Sequence, residues 1–252
     1  MLATFITQDQ GEPSMRIHVV QHAPFEGPGL IAEWVAERGH EFTCAMALTE
    51  EFPPAESIDF LIVLGGPMGA ADDDAYPWLI AEKRFIAEAI AAGRLVLGVC
   101  LGSQILASVL GGSVRKNRVP EIGWFEVALS SDAADEPALA AWPPTFTVGQ
   151  WHGDTFELPQ GLPAKASSNA CENQLFVFDR RTVGMQFHLE WNEAALSTLI
   201  ATCAADLEAG GEYVMSAERI KAEAHMRIAT CRSLLFALLD GMQAFGPGVA
   251  GE

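Results

Sequence analysis

Two stretches of the chain, residues 60–64 (FLIVL) and 95–99 (LVLGV), are apolar at every position. A strand with one face in water alternates apolar and polar residues. A run without alternation belongs inside a parallel sheet covered by helices on both sides. The surrounding sequence supplies those helices. Trp78, Ala81, Phe85, Ile86, Ala89 and Ile90 recur at three- and four-residue steps up to Gly93, which predicts an amphipathic helix between the two runs. Residues 30–37, ending at Gly39, and residues 103–110, ending at Gly111 and Gly112, read as two more helices. Residues 16–21 and 42–48 read as further strands. This alternation predicts an α/β fold with a doubly wound, mostly parallel sheet flanked by helices.

Segments 114–130, 145–151, 164–168 and 174–187 look like strands joined by turns, an antiparallel extension of the same sheet. Two apolar stripes follow. Leu196, Leu199, Ile200, Cys203 and Leu207 form one, and Ile220, Ala224, Ile228, Cys231, Leu234, Leu235 and Leu238 form the other. Both are read as core packing or a subunit contact such as a homodimer would use. The expected organisation is a loose leader over 1–14, one domain over 15–212, and a helical extension over 213–245 packing on that domain. Residues 246–252 should fray.

Charge narrows the partners. The 252 residues hold 15 Lys and Arg against 33 Asp and Glu, a net charge of −18. An excess of acid repels nucleic acid and anionic bilayers alike, so neither is an expected partner. No run of about 18 apolar residues is available to span a membrane, and the first residues lack the basic start and apolar stretch of a secretion signal. Five cysteines (Cys44, Cys100, Cys171, Cys203 and Cys231) are widely spaced with no CxxC pair. That pattern fits a reducing cytoplasm better than a disulfide framework.

Cys100 has a setting the other cysteines lack. It stands where the second apolar strand turns into a helix, bracketed by Gly98 and Gly102. Ligands of open α/β sheets bind at the carboxyl ends of strands. A sharp strand-to-helix turn exposes its middle residue, as in the nucleophile elbow of serine hydrolases, and N–H groups at a helix start favour a thiolate. A small buried hydrophobe is the alternative reading of a lone cysteine.

A thiolate attacking an amide creates an oxyanion, which needs donors. Residues 60–64 run into Gly65-Gly66-Pro67-Met68-Gly69. If the two strands are neighbours, the N–H groups of Gly66 and Leu101 converge on one oxygen. The base must be a histidine oriented by an acid. Among six histidines, His188 follows a strand-like run and has Glu190 two residues on, on the same side of an extended chain. The expected arrangement is nucleophile Cys100, base His188 and orienter Glu190. Neither the PCxxC nor the HExxH ligand spacing occurs, so no metal is expected. The GxxxxGK[ST] and GxGxxG loops are absent, so no nucleotide cofactor is expected.

Three segments, GVCLGSQ (98–104), LGGPMG (64–69) and GMQFHLEW (184–191), in this order and spacing resemble the signatures of class I glutamine amidotransferases. The chain is similar in particular to free-standing proteins related to the amidotransferase domain of GMP synthase. The resemblance spans about residues 16–210. It implies a cysteine-dependent glutaminase with a Cys-His-Glu triad, a thioester intermediate, ammonia release and no cofactor. It also gives Gln104 a place in the substrate pocket. The segments 120–124 (PEIGW) and 150–155 (QWHGDT) support the same subgroup, which implies that His152 and Asp154 lie near the α-amino or α-carboxyl group of glutamine. One departure is Leu189, where the family usually has proline. No SGGxDS phosphate signature is present, so an ammonia acceptor would come from a synthase partner in trans. A γ-glutamyl peptidase uses the same thioester chemistry with a different leaving amine. A binding component that is silent until a synthase completes it is the third reading.

Overall fold

The computed structural model describes residues 14–48 and 51–246. The expected leader, except Ser14, and the expected frayed end beyond Gly246 lie outside the described residues. In chain order the elements are β1 (Arg16–Gln21), α1 (Leu30–Arg38), β2 (Glu41–Met46), β3 (Phe60–Val63), α2 (Trp78–Ala91), β4 (Leu95–Val99), α3 (Leu101–Val109), β5 (Ser113–Leu129), β6 (Thr145–Glu157), β7 (Ala166–Ser167), β8 (Leu175–Phe178), β9 (Thr182–Met185), α4 (Glu193–Thr202), α5 (Ala204–Glu208) and α6 (Ala217–Gln243).

All nine strands form one sheet in the order β2-β1-β3-β4-β9-β8-β7-β5-β6. The half from β2 to β9 is parallel and the half from β9 to β6 is antiparallel. The fold class expected from the apolar runs is the one observed. Its cause is visible in β3: Phe60 and Ile62 enter a core shared with α1 and α6, while Leu61 and Val63 enter a second core under α2 and α3. β4 divides likewise, Leu95, Leu97 and Val99 to one side and Val96 to the other. Each alternate residue thus loses its water contact against a different helical layer, at roughly 25 cal/mol per Å² of apolar surface removed.

Three boundaries differ from expectation. β6 continues to Glu157, because Thr155 and Asp154 pair with Arg115 and Lys116 of β5, so His152 and Asp154 sit in a strand. Segment 174–187 is a hairpin, β8 and β9, turning through Asp179 and Arg180 at φ 51° and 66°. No glycine marks that turn, which is why the sequence conceals it. The stripe 196–207 breaks at Cys203 into α4 and α5. The break turns Cys203 and Asp206 towards the cavity at the carboxyl ends of the parallel strands.

α6 lies across one face of the sheet. Leu234, Leu235, Leu238, Leu239 and Met242 are buried there. Two indoles donate to its carbonyls, Trp124 to Ile220 at 2.9 Å and Trp142 to Leu234 at 3.0 Å.

Candidate active site

Cys100 joins β4 to α3 with φ 51° and ψ −109°, a conformation that side chains other than glycine rarely adopt. Such strain persists only where the surroundings over-determine it. Here the Cys100 N–H donates to the Met185 carbonyl at 2.8 Å, and its own carbonyl accepts from the Gln104 N–H at 3.1 Å and the Ser103 hydroxyl at 2.7 Å. Glycine at 98 and 102 is a steric requirement of the same turn. A Cβ on Gly98 would lie 2.6 Å from the Gly102 carbonyl oxygen, and one on Gly102 would enter the Val63 carbonyl. The helix therefore starts flush against the sheet and presents the thiol to solvent-accessible space.

The thiol donates towards the Trp151 carbonyl at 3.7 Å and accepts from the Gln186 amide at 3.6 Å. Gln186 in turn accepts from the Gln104 amide at 3.1 Å. This chain of amides fixes Gln104 and Cys100 relative to each other.

His188 follows β9. Its N–H donates to the Gly149 carbonyl at 2.8 Å, and its ring stacks on Trp191 with centroids 4.4 Å apart. Nδ1 lies 2.6 Å from Glu190 Oε1, both side chains being almost fully buried. Nε2 is buried, and besides Glu190 the Cys100 sulfur interacts with the ring. The Glu190 backbone is fixed as well, its carbonyl accepting from the Leu30 N–H at the start of α1 at 2.7 Å. Burial by itself lowers the His188 pKa, but the Glu190 carboxylate and the Cys100 sulfur outweigh it and hold it well above 6.5.

Cys100, His188, Gly66, Leu101, Gln104, His152 and Asp154 all line one cavity of about 690 Å³. Gly66 and Leu101 adjoin, since a Cβ on Gly66 would sit 2.9 Å from Leu101 Cδ2. Among the described residues neither of their N–H groups has a protein acceptor. His152 is less available than the resemblance implied. Its Nε2 meets Glu121 at 3.2 Å and its Nδ1 the Asp154 carbonyl at 2.8 Å, in a side chain only 1% exposed. It forms cavity wall. Asp154 pairs with Lys116 at 2.7 Å.

Two residues escaped the sequence reading. Gln186 precedes His188 by two positions, so the alternation that selects Glu190 also selects it. Glu26, in the loop after β1, contributes its carboxylate to the cavity wall close to Gly65, Cys100 and His188. Burial raises its pKa above the ordinary 4.5, against the opposing pull of His188. Its position at the carboxyl end of a parallel strand is the signal that would have found it. Three other cysteines, buried Cys171 and Cys231 and half-buried Cys203, have raised thiol pKa values. Burial raises Cys171, pushes Cys203 to about 11 with help from Asp206 and Glu26, and pushes Cys231 to about 12. No group of three or more potential metal ligands exists among the described residues. No helix among them is long and apolar enough to cross a membrane.

Comparison with known proteins gives this geometry a family. The profile of the family described as glutamine amidotransferase class-I matches residues 30–201. The glutamine amidotransferase-like protein YfeJ of Salmonella typhimurium is 32% identical over 191 residues, 74% of this chain and 80% of that protein. One of the subunits of the glutamine-hydrolysing GMP synthase of Halobacterium salinarum is 29% identical over 159 residues, 60% of this chain and 80% of its own length. A crystal structure of a glutamine amidotransferase from Thermotoga maritima superposes with a TM-score of 0.84 at 31% identity, covering 91% of this chain and 98% of the other. The profile matched over more than half the sequence, and a relative above 30% identity covering most of it, agree with the sheet and its elbow: the chain belongs to the class-I glutamine amidotransferase family.

Proposed function

We propose that the protein hydrolyses the side-chain amide of glutamine through a γ-glutamyl thioester on Cys100, with His188 and Glu190 completing the catalytic triad. The observation that carries the reading is the strained cysteine elbow opening into the same cavity as an imidazole tied to a buried carboxylate at 2.6 Å. With the thiol proton already passed to His188 Nε2, a transfer that the Glu190 carboxylate favours, the sulfur adds to the amide carbon. The resulting oxyanion receives hydrogen bonds from the Gly66 and Leu101 N–H groups, a type of contact worth about 2.7–4 kcal/mol of barrier per donor. His188 returns the proton to the amide nitrogen, the C–N bond breaks and ammonia leaves. Water then gives a proton to His188 as its oxygen adds to the thioester carbon. The C–S bond breaks, and glutamate and the free thiol are restored. Glu190 holds the imidazole so that Nε2 faces the sulfur. Gln186 donates to the sulfur, and Glu26 places a carboxyl group on the cavity wall, an acceptor suited to an α-ammonium group.

A second reading, hydrolysis of γ-glutamyl peptides, is favoured by the size of the cavity. About 690 Å³ is the scale of sites for drug-sized ligands and leaves room for a leaving amine larger than ammonia. A partner synthase that accepts ammonia in trans is supported by the Halobacterium salinarum relative, which is one component of a larger enzyme by its name. The test is glutamate release by the isolated protein from glutamine and from a panel of γ-glutamyl dipeptides. Turnover of glutamine that vanishes in Cys100→Ser is the expected result. Faster release from the dipeptides selects the peptidase reading. Undiminished turnover by Cys100→Ser removes the mechanism.

A further inference from the structure

Next to the cavity lies a buried pair that none of these steps uses. His22, just beyond β1, and Glu82, on α2, have fully buried side chains, with Nε2 2.8 Å from Oε1. The other ring nitrogen of His22, Nδ1, is 3.0 Å from the Gly65 carbonyl oxygen. A carbonyl only accepts, so Nδ1 carries hydrogen. Burial lowers the pKa of this imidazole, but Glu82 and the Gly65 carbonyl outweigh it and hold it above 6.5, which lets both nitrogens donate. Hydrogen bonds at both nitrogens hold the ring between Gly65 and Glu82. Trp78 stacks on it at 5.7 Å, and a Cβ on Gly66 would fall 2.7 Å from the His22 Cβ.

The Gly65 carbonyl and the Gly66 N–H are two ends of one peptide unit. No cis peptide occurs among the described residues, so the two groups point in opposite directions. A donor that fixes the carbonyl on the His22 side aims the N–H the other way, into the cavity that Gly66 shares with Cys100 and Leu101. The peptide needs such a restraint. It joins two glycines, whose backbone adopts either sign of φ with little preference, so no Cβ opposes its rotation. Stability does not explain the pair, because a buried ion pair is often no better than apolar residues of the same volume.

We propose that the His22–Glu82 pair clamps the Gly65–Gly66 peptide in the orientation that binds the oxyanion. His22 is then a positioning residue, acting on the reaction through the Gly66 N–H. This rests on the thioester reading above. It makes the hole preformed in the free protein, with no partner needed to turn the peptide.

The test compares the full-length protein with His22→Leu, His22→Asn and Glu82→Gln. Two rates are measured: turnover of whichever γ-glutamyl substrate the unaltered protein uses, and alkylation of Cys100 by iodoacetamide, a displacement that forms no oxyanion. His22→Leu should lose about 100-fold in kcat, the scale of one oxyanion donor, with KM and alkylation rate changed by no more than about threefold. His22→Asn, whose amide can still donate to the carbonyl, should recover at least about tenfold of that loss, and Glu82→Gln should lose about tenfold. The proposal is overturned if His22→Leu keeps its kcat, or if kcat and alkylation fall together, as they would from general damage to the site. Should His22→Leu not fold, Glu82→Gln decides by the same two rates, and an unchanged kcat overturns the clamp. An unaltered protein that turns over no γ-glutamyl substrate counts against the proposed function. An active one with indifferent variants counts against the clamp alone.

Discussion

His188 is charged or neutral according to which of its neighbours prevails. Burial favours the neutral ring, yet the Glu190 carboxylate and the Cys100 sulfur hold its pKa well above 6.5. A group with a raised pKa keeps its proton until the pH climbs through that higher value. The protonated ring that the proposed release of ammonia requires therefore persists at neutral pH, and kcat/KM should fall on an alkaline limb above the ordinary histidine range. In Glu190→Gln the principal attraction is gone, so that limb should move to lower pH and kcat should fall by about 10⁴-fold, the scale seen when the orienting carboxylate is removed from comparable triads. A pH profile of kcat/KM for both proteins checks this, and an unmoved limb would exclude Glu190 as the orienter. Much of this site is legible in the residues. Glycines at 98 and 102 announce a tight elbow, and two-residue alternation puts Glu190 beside His188. The same alternation implicates Gln186, which went unread because an amide suggests no acid–base role. Glu26 was passed over although it follows β1, and the contacts of His22 arise only when β1 and β3 lie side by side.

Among the elements, α6 shows how a segment outside the family match becomes part of the core. It begins beyond residue 201, where the profile match ends, yet its Asp240 accepts from the buried Trp34 indole at 2.8 Å and from Arg38 at 2.7 Å. Asp240→Ala leaves that indole without an acceptor, which should cost about 1–3 kcal/mol, while loss of the half-exposed Arg38 pair adds little. Burial raises the Asp240 pKa, but Arg38 and Trp34 outweigh it and hold it below 3.8. The carboxylate's contribution is therefore complete above that value and fades as the pH falls through the lower, folded-state pKa. Urea unfolding at pH 7 should separate the variant from the unaltered protein, and the gap should narrow near pH 3. An equal gap at both values would assign the effect to packing alone. Strands and helices with strong patterns were legible here to within a residue or two, β1, β3, β4 and α1 among them. The carboxyl end of β6 and the turn between β8 and β9 were not. Residues 152–154 look like a turn until β5 pairs with His152 and Asp154, and Asp179 with Arg180 turn without a glycine. The α4–α5 break was hidden because its apolar stripe continues across Cys203.

At the scale of the molecule, the carboxyl ends of the parallel strands collect the groups that the proposed chemistry uses. Glu26 and His22 follow β1, Gly65 and Gly66 follow β3, Cys100 ends β4 and His188 follows β9. Because β1, β3, β4 and β9 are consecutive neighbours in the sheet, segments more than 80 positions apart in sequence, such as those carrying Cys100 and His188, meet in one cavity. The apolar runs dictate this convergence: strands buried on both faces leave only their ends for polar chemistry. What the sequence withholds is the leaving amine, since loss of ammonia or of a larger amine would leave the same proposed γ-glutamyl thioester. The most direct measurement is covalent labelling with an electrophilic glutamine analogue, followed by intact-mass and peptide mass spectrometry. A single adduct on Cys100, slowed by added glutamine and absent from Cys100→Ser, is the predicted result. Labelling of Cys44, Cys203 or another cysteine in its place, or a Cys100 adduct indifferent to glutamine, would contradict it.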